Sequence, residues 1–219
     1  MKRFGFNSAF AAVLLAIFAA ICVWQMPGIT GSKLSKDEVA RYMQTIERVF
    51  PVQGEERTLF LARVRAWAEA DDGRPIYMLN LMRYYEKLRA IPGAPAFGGT
   101  PREANELYER ETTRLLLEGG GYPLYAGETQ GANLMGYGEG QDKWSRVLLV
   151  RYPSRRAFLD LVTDPAYAPV APYKLMALEV VLAPTSSELV IPDVRVVAGA
   201  LLLTLFLATG WARSARRRG

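Results

Sequence analysis

Two long apolar runs bracket a middle in which hydrophobic and polar residues alternate. Phe4 to Gln25 is 22 residues without a charge, and Val196 to Ala212 is 17. A helix of about 20 apolar residues spans a bilayer, so each run is predicted to be a membrane helix. At the first run, three features favour an uncleaved anchor over a cleaved signal peptide. The run exceeds the usual signal core of about 7 to 15 residues, Trp24 ends it as an interfacial residue would, and no A-x-A cleavage site follows. Nor does Cys22 fit a lipoprotein box, because Ile21 stands where a small residue is needed. The second run is short for a span, but Trp211 closes it and Arg195 can snorkel to the far interface. Small residues recur every fourth position in both runs, as Ala12, Ala16 and Ala20 and as Ala200, Thr204 and Ala208. Such faces let helix backbones approach closely, against each other or against a partner's helices.

Between the runs, the periodicity changes element by element. A Gly/Ser-containing link, Ile29 to Lys33, leads to Ser35-Lys36-Asp37-Glu38, a capping box that opens a helix carrying Val39, Tyr42, Met43, Ile46 and Phe50. A second helix is predicted over Glu55 to Ala70, followed by an Asp71-Asp72-Gly73 turn. Ile76 to Tyr84 is almost wholly apolar, which predicts a strand buried on both faces. After a loop over Ala90 to Gly99, Pro101 to Glu118 reads as a helix with Ala104, Leu107, Tyr108, Thr112, Leu115 and Leu116 on one stripe. Strands follow at Tyr122 to Thr129 and Lys143 to Tyr152, then a helix from Ser154 to about Val162 and another running to about Leu178. A last short strand is predicted over Glu179 to Ala183. The order from Ile76, β-α-β-β-α-β, is that of a ferredoxin-like α+β fold. The predicted organisation is an anchor over 1–26, a helical segment over 33–72, the α+β domain over 73–190, and a second membrane helix with a basic tail over 191–219.

Charge changes the picture at the ends. The chain carries 27 basic and 22 acidic residues, a formal +5 with a pI near 9.4. Lys2, Arg3, Arg213, Arg216, Arg217 and Arg218 flank the apolar runs, leaving 21 basic residues against 22 acidic ones. The basic excess is therefore a topology signal, and nucleic-acid binding loses its support. By the positive-inside rule both termini are cytoplasmic, which puts the domain on the far side of a bacterial inner membrane, in the periplasm or cell exterior. There are no histidines and only one cysteine. Ser-His-Asp and Cys-His relays, histidine-ligated zinc or haem, and disulfides within the chain are excluded.

The segments PIYMLNLMRY, ANELYERETTRLLLEGGG and KWSRVLLVRYPSRRAFLDLVTDPAY, spread over Gly73 to Pro184, resemble the family called domain of unknown function 1330, in the dimeric α+β barrel superfamily. The resemblance covers about half the chain. It implies a ferredoxin-like subunit whose open sheet face pairs with a second copy to close a barrel. Similar proteins often have histidine in the last helix, where this chain has Tyr173-Lys174. Haem-handling and some monooxygenase-type relatives rely on histidine, so the same gap argues against those activities here.

Several polar residues are candidates for chemistry. Asn80 interrupts an apolar strand, and a buried amide must be hydrogen-bonded. Either Asn80 or Arg83, which alternate onto opposite faces, can orient a ligand from a cavity between sheet and helices, or both can serve structure alone. Glu111 borders the buried stripe of its helix and would be a general base if desolvated, or else an ion-pair partner of Arg83, Arg110 or Arg114. Tyr108, Tyr125, Trp144, Tyr152 and Tyr167 can line a pocket for a flat apolar or aromatic ligand, or fill the core. Gly136 to Gly140 lacks the GK[ST] of a nucleotide loop, Arg102-Glu106-Arg110 and Arg155-Arg156 read as solvated faces, and no carboxylates have calcium-loop spacing. No cofactor is implied. The reading favours a non-catalytic accessory or scaffold module, a homodimer or part of a larger membrane complex in contact with lipid. The alternative is a cofactor-independent small-molecule enzyme or binder using Asn80 and Glu111.

Overall fold

The computed structural model describes residues 6–25, 32–50, 53–91, 93–132, 134–135, 143–187 and 192–216. Lys2, Arg3, Arg217, Arg218, the Gly136 to Gly140 run and the Ile29 to Gly31 part of the link lie outside the described residues. The chain divides into two units, 1–26 with 187–219 and 27–186.

The first unit contains α1 (Phe6–Trp24) and α7 (Val194–Arg216), both long and apolar enough to cross a membrane. Almost none of either helix is buried within the protein, unlike the core helix of a soluble domain. The two pack antiparallel: Phe10 stacks on Phe206 at 6.4 Å, and Phe18 lies against Gly199, where a Cβ would come within 3.2 Å of its ring. The contact runs through these residues and buried Leu14. The small-residue stripes are not part of it; Ala12, Ala16, Ala20, Ala200, Thr204 and Ala208 are all exposed. A ring fitted over Gly199 fills the interface better than two alanine faces would, because contact area rather than mere closeness supplies the dispersion energy. Arg195 holds Asp193 by two hydrogen bonds of 2.7 and 3.1 Å at the start of α7.

The second unit is an α+β domain. Its elements are α2 (Lys36–Val49), α3 (Gly54–Glu69), β1 (Ile76–Tyr84), α4 (Pro101–Glu118), β2 (Tyr122–Glu128), β3 (Arg146–Tyr152), α5 (Arg155–Thr163), α6 (Ala171–Ala177) and β4 (Leu178–Thr185). The strands form one antiparallel sheet in the order β2-β3-β1-β4. In β1, Ile76, Met78, Asn80 and Met82 are buried while Tyr77, Leu79, Leu81 and Arg83 are only half-buried. The expectation of a strand buried on both faces is corrected, because the domain's hydrophobic clusters all lie on the first face. Pro184 and Pro123 fall on the two edge strands, the places in a sheet to which proline is confined. Turns occupy 165–170 and α6 begins only at Ala171, with Pro172 in its first turn, where a proline is tolerated.

Three clusters form the core. Ile76, Met78, Val150 and Tyr152 of the sheet pack with Leu115 of α4 and Leu161 of α5. Val39, Met43 and Ile46 of α2 pack with Ala68 of α3 and Leu159 of α5, and Trp67, Phe158 and Val162 touch both clusters. Met82, Ala104, Met176, Ala177 and Leu178 form the third. Arg155 and Arg156 are corrected from a solvated face: Arg155 lies over the Trp67 ring at 5.3 Å and beside Asp71, and Arg156 pairs with Glu38. Asp71 itself accepts from the backbone N–H groups of Leu34 and Gly73, which ties the entry of α2 to the end of α3.

The predicted capping box of α2 is present, with Ser35 and Glu38 each accepting from the other's backbone N–H. The hydrogen bond from Arg156 and those from Ser35 push the Glu38 carboxyl down to about 2. A depressed carboxylate contributes stability above its ordinary pKa and loses it as the pH falls toward the folded value. Between pH 4.5 and 2 the wild-type chain in detergent should lose about 1 kcal/mol that Glu38→Gln does not, after allowance for solvent screening. Thermal melts across that range, compared between the two, measure the difference.

Candidate functional site

Asn80 projects from the middle of β1 toward the helices and is 4 % exposed. Its amide nitrogen donates to the carbonyls of Met78 at 3.1 Å and Leu148 at 3.4 Å, so the oxygen is turned away from the sheet. That oxygen accepts a 3.1 Å hydrogen bond from the Lys174 amine of α6. The amine also lies 5.2 Å from the centre of the Tyr108 ring of α4, a cation–π distance. Tyr108 in turn shares a 3.3 Å hydroxyl contact with Tyr167, their rings meeting edge to face.

A second polar group adjoins the first. Glu109 of α4 receives a 2.8 Å ion pair from Arg146 of β3 and a 3.0 Å hydrogen bond from Asn105, whose amide also reaches the Tyr84 hydroxyl at 3.3 Å. Asn105 is wholly buried, and its side-chain oxygen has no hydrogen-bond partner. The Glu109 bond fixes that orientation, because a flipped amide would bring its oxygen against the carboxylate.

These surroundings set the proton affinities. Burial pushes the Lys174 amine down to about 8, and the Glu109 charge only partly opposes it. Burial likewise pushes the hydroxyls of Tyr108, Tyr152 and Tyr167 up, keeping them protonated. The arrangement is a desolvated amine with a neutral amide as its hydrogen-bond partner, while the nearby carboxylate is already committed to Arg146 and Asn105.

The predicted site residues divide accordingly. Asn80 and Tyr108 belong to the cluster, and Tyr152 lies in the adjoining core, edge to face with Phe158 at 5.3 Å. Arg83 lies on the opposite face of the sheet, paired with Glu179 and 5.7 Å from the centre of the Trp144 ring. Tyr125 is 57 % exposed on the edge strand β2. Glu111 takes the second of its two readings: it is exposed and pairs with its neighbour Arg110 at 3.0 Å, so the desolvated general base is corrected. Sequence reasoning passed over Lys174, Asn105, Glu109 and Arg146 as chemistry. Only Lys174 had a signal, its place where similar proteins carry histidine. Among the described residues no three acidic or cysteine side chains gather as metal ligands would. A shallow recess of about 230 Å³ lined by Glu38, Arg41, Tyr42, Thr45 and Thr163 lies on α2 and α5, away from the cluster.

No protein-family model and no curated protein matches the chain. Among solved structures it is similar to RPA0582, a protein of unknown function from Rhodopseudomonas palustris, at 26% identity and a TM-score of 0.49, covering 65% of this chain and 98% of that one. It is similar also to the methylated form of RPA0582, at 26% identity and a TM-score of 0.51, over 65% of this chain and 97% of that one.

Proposed function

We propose that the chain is a membrane-anchored, ferredoxin-like module that acts as an accessory or scaffold subunit and pairs with a second copy through the open face of its sheet. Both termini lie in the cytoplasm and the α+β domain on the other side of a bacterial inner membrane, a topology supported by the basic residues that flank the two apolar helices. The sheet order β2-β3-β1-β4, with β-α-β-β-α-β connectivity from Ile76, supports the ferredoxin-like reading. So does the resemblance to the domain of unknown function 1330 family, which also suggests the pairing.

The observation that carries the proposal is the apolar face opposite the helices. Register places Leu79 and Leu81 of β1 beside Leu149 and Val147 of β3 and Ala183 and Val181 of β4. None of these six belongs to the three core clusters, and Val181 is 43 % exposed. A contiguous apolar face of this kind marks an interaction surface, and a standard interface buries about 800 Å² on each partner. Two anchors per chain hold copies in one plane, which raises their effective concentration.

Leu81 sits at the centre of that face. Purified in detergent, the full chain is expected to show twice its own mass by light scattering. Leu81→Lys should halve that mass and leave the melting temperature within a few degrees, since Leu81 contributes to no core cluster. A monomeric wild type, or a Leu81→Lys chain that stays dimeric, removes the proposal.

A further inference from the structure

The accessory role makes no use of the buried amine on α6. Among the described residues Lys174 is the only lysine whose amine enters the hydrogen-bonded interior of the domain; Lys33, Lys36, Lys87 and Lys143 are exposed. An ammonium in the interior normally has a carboxylate beside it, because an unpaired buried charge is costly. Here the hydrogen-bond partner is the neutral oxygen of Asn80, the amine faces the ring of Tyr108, and the nearby carboxylate, Glu109, is held by Arg146 and Asn105. The facing groups are Asn80 of β1 and Tyr108 and Glu109 of α4; Tyr167, in the turn before α6, and Arg146 of β3 stand behind Tyr108 and Glu109.

We propose that Lys174 is a nucleophilic amine that takes small aldehydes or ketones as a Schiff base, with Asn80 positioning its nitrogen. With one N–H given to the Asn80 oxygen, the neutral amine keeps its lone pair for an incoming carbonyl carbon. The C–N bond forms as the C=O π bond breaks, and the nitrogen passes one of its two protons through solvent to the carbonyl oxygen, giving a neutral carbinolamine. The hydroxyl then takes one proton from solvent and leaves as water while the nitrogen lone pair closes the C=N bond. No oxidant or reductant is needed. The iminium that results carries the same charge as the ammonium, and Glu109 stabilises it across the same space. The depressed proton affinity of Lys174 supports this, since about a quarter of an amine with a pKa near 8 is neutral at pH 7.5, against about a thousandth of an ordinary lysine. Residue 174 as a whole is half-buried, so part of it meets solvent.

The test is reductive trapping of the full chain in detergent with acetaldehyde and cyanoborohydride, followed by peptide mass mapping at a series of pH values. Iminium and ammonium carry the same charge and reduction by cyanoborohydride is slow, so the trapping rate at Lys33, Lys36, Lys87 and Lys143, the internal controls, is expected to stay level to beyond pH 9, while that at Lys174 falls about tenfold per unit above about pH 8. The shape of the profile does not depend on how easily the probe reaches the site. Asn80→Asp supplies the missing counter-charge and is expected to move the Lys174 midpoint up by at least about one unit. No adduct at Lys174, or a profile parallel to the surface lysines, overturns the proposal, and neither result bears on whether the sheet faces pair.

Discussion

Lys174→Met is expected to abolish a rise in stability that the wild-type chain shows as the pH climbs from about 8 toward 10. The sign follows from where the protons are. In the folded state the amine loses its proton near pH 8, whereas in the unfolded state it keeps it to about 10.5, so over that interval the unfolded chain binds more protons and stability increases with pH. At about 1.4 kcal/mol per unit, the gain is on the order of 2–3 kcal/mol. Tyr108, Tyr152 and Tyr167 act the other way, because burial keeps their protons on to higher pH; their contribution cancels when variant and wild type are compared. At pH 7 the two chains should differ by no more than about 1 kcal/mol. There the relief of burying an ammonium offsets the loss of the hydrogen bond to Asn80. By pH 10 the methionine variant should be the less stable by about 2 kcal/mol. Denaturant titrations of both chains in detergent at pH 7, 8, 9 and 10 give the comparison. A difference that stays flat across them would mean that the amine is not desolvated.

Leu159→Ala should cost about 3–5 kcal/mol, the cost of emptying a fully buried leucine site that cannot collapse. Leu159 has 0 % exposure and is the one α5 residue among the buried members of the cluster built with α2 and α3. Its removal opens a void where Val39, Met43, Ile46 and Ala68 meet. Trp67, Phe158 and Val162, which bridge to the sheet cluster, lose support on one side. Hydrogen exchange should show the greatest loss of protection over residues 36–69, ahead of β1 and β3. Equal loosening of the sheet, or a cost below about 1 kcal/mol, would show that α2 and α3 are not held through this contact.

Which residues meet in the polar cluster was only partly legible. Asn80 stood out because an amide in the run IYMLNLMRY has no apolar reason to be there. Lys174 lies on a helix of seven residues, too short for periodicity to tell which side faces the core. On α4, the spacing from Leu107 and Leu115 suggested Glu111, but the buried line runs through Ala104, Asn105, Thr112 and Leu115. Three of those four lie on the predicted stripe; the fourth, Asn105, is polar and so did not mark its side of the helix as inward, and Glu109, one turn on from Asn105, rather than Glu111, meets Arg146 of β3. Tyr125 was misjudged for another reason. Aromatic residues suit strands wherever they point, and an irregularity between Pro123 and Tyr125 shifts the register on the edge strand.

Local chemistry accounts for what the sequence determined by itself. Two apolar runs with basic flanks, a Ser35–Glu38 capping box, Pro101 at the first turn of α4 and alternation along the strands each act over a few residues, so the elements and the two hydrophobic ends could be read directly. Tertiary structure decided the rest. Sheet order, the bare face opposite the helices, the joining of α2 and α3 to the domain through Leu159, and the meeting of Asn80 with Lys174 all depend on packing between distant segments. Asn80 and Lys174 are 94 residues apart in the chain. Burial and hydrogen bonding at such a distance are set by which surfaces pack together, and no local spacing encodes that.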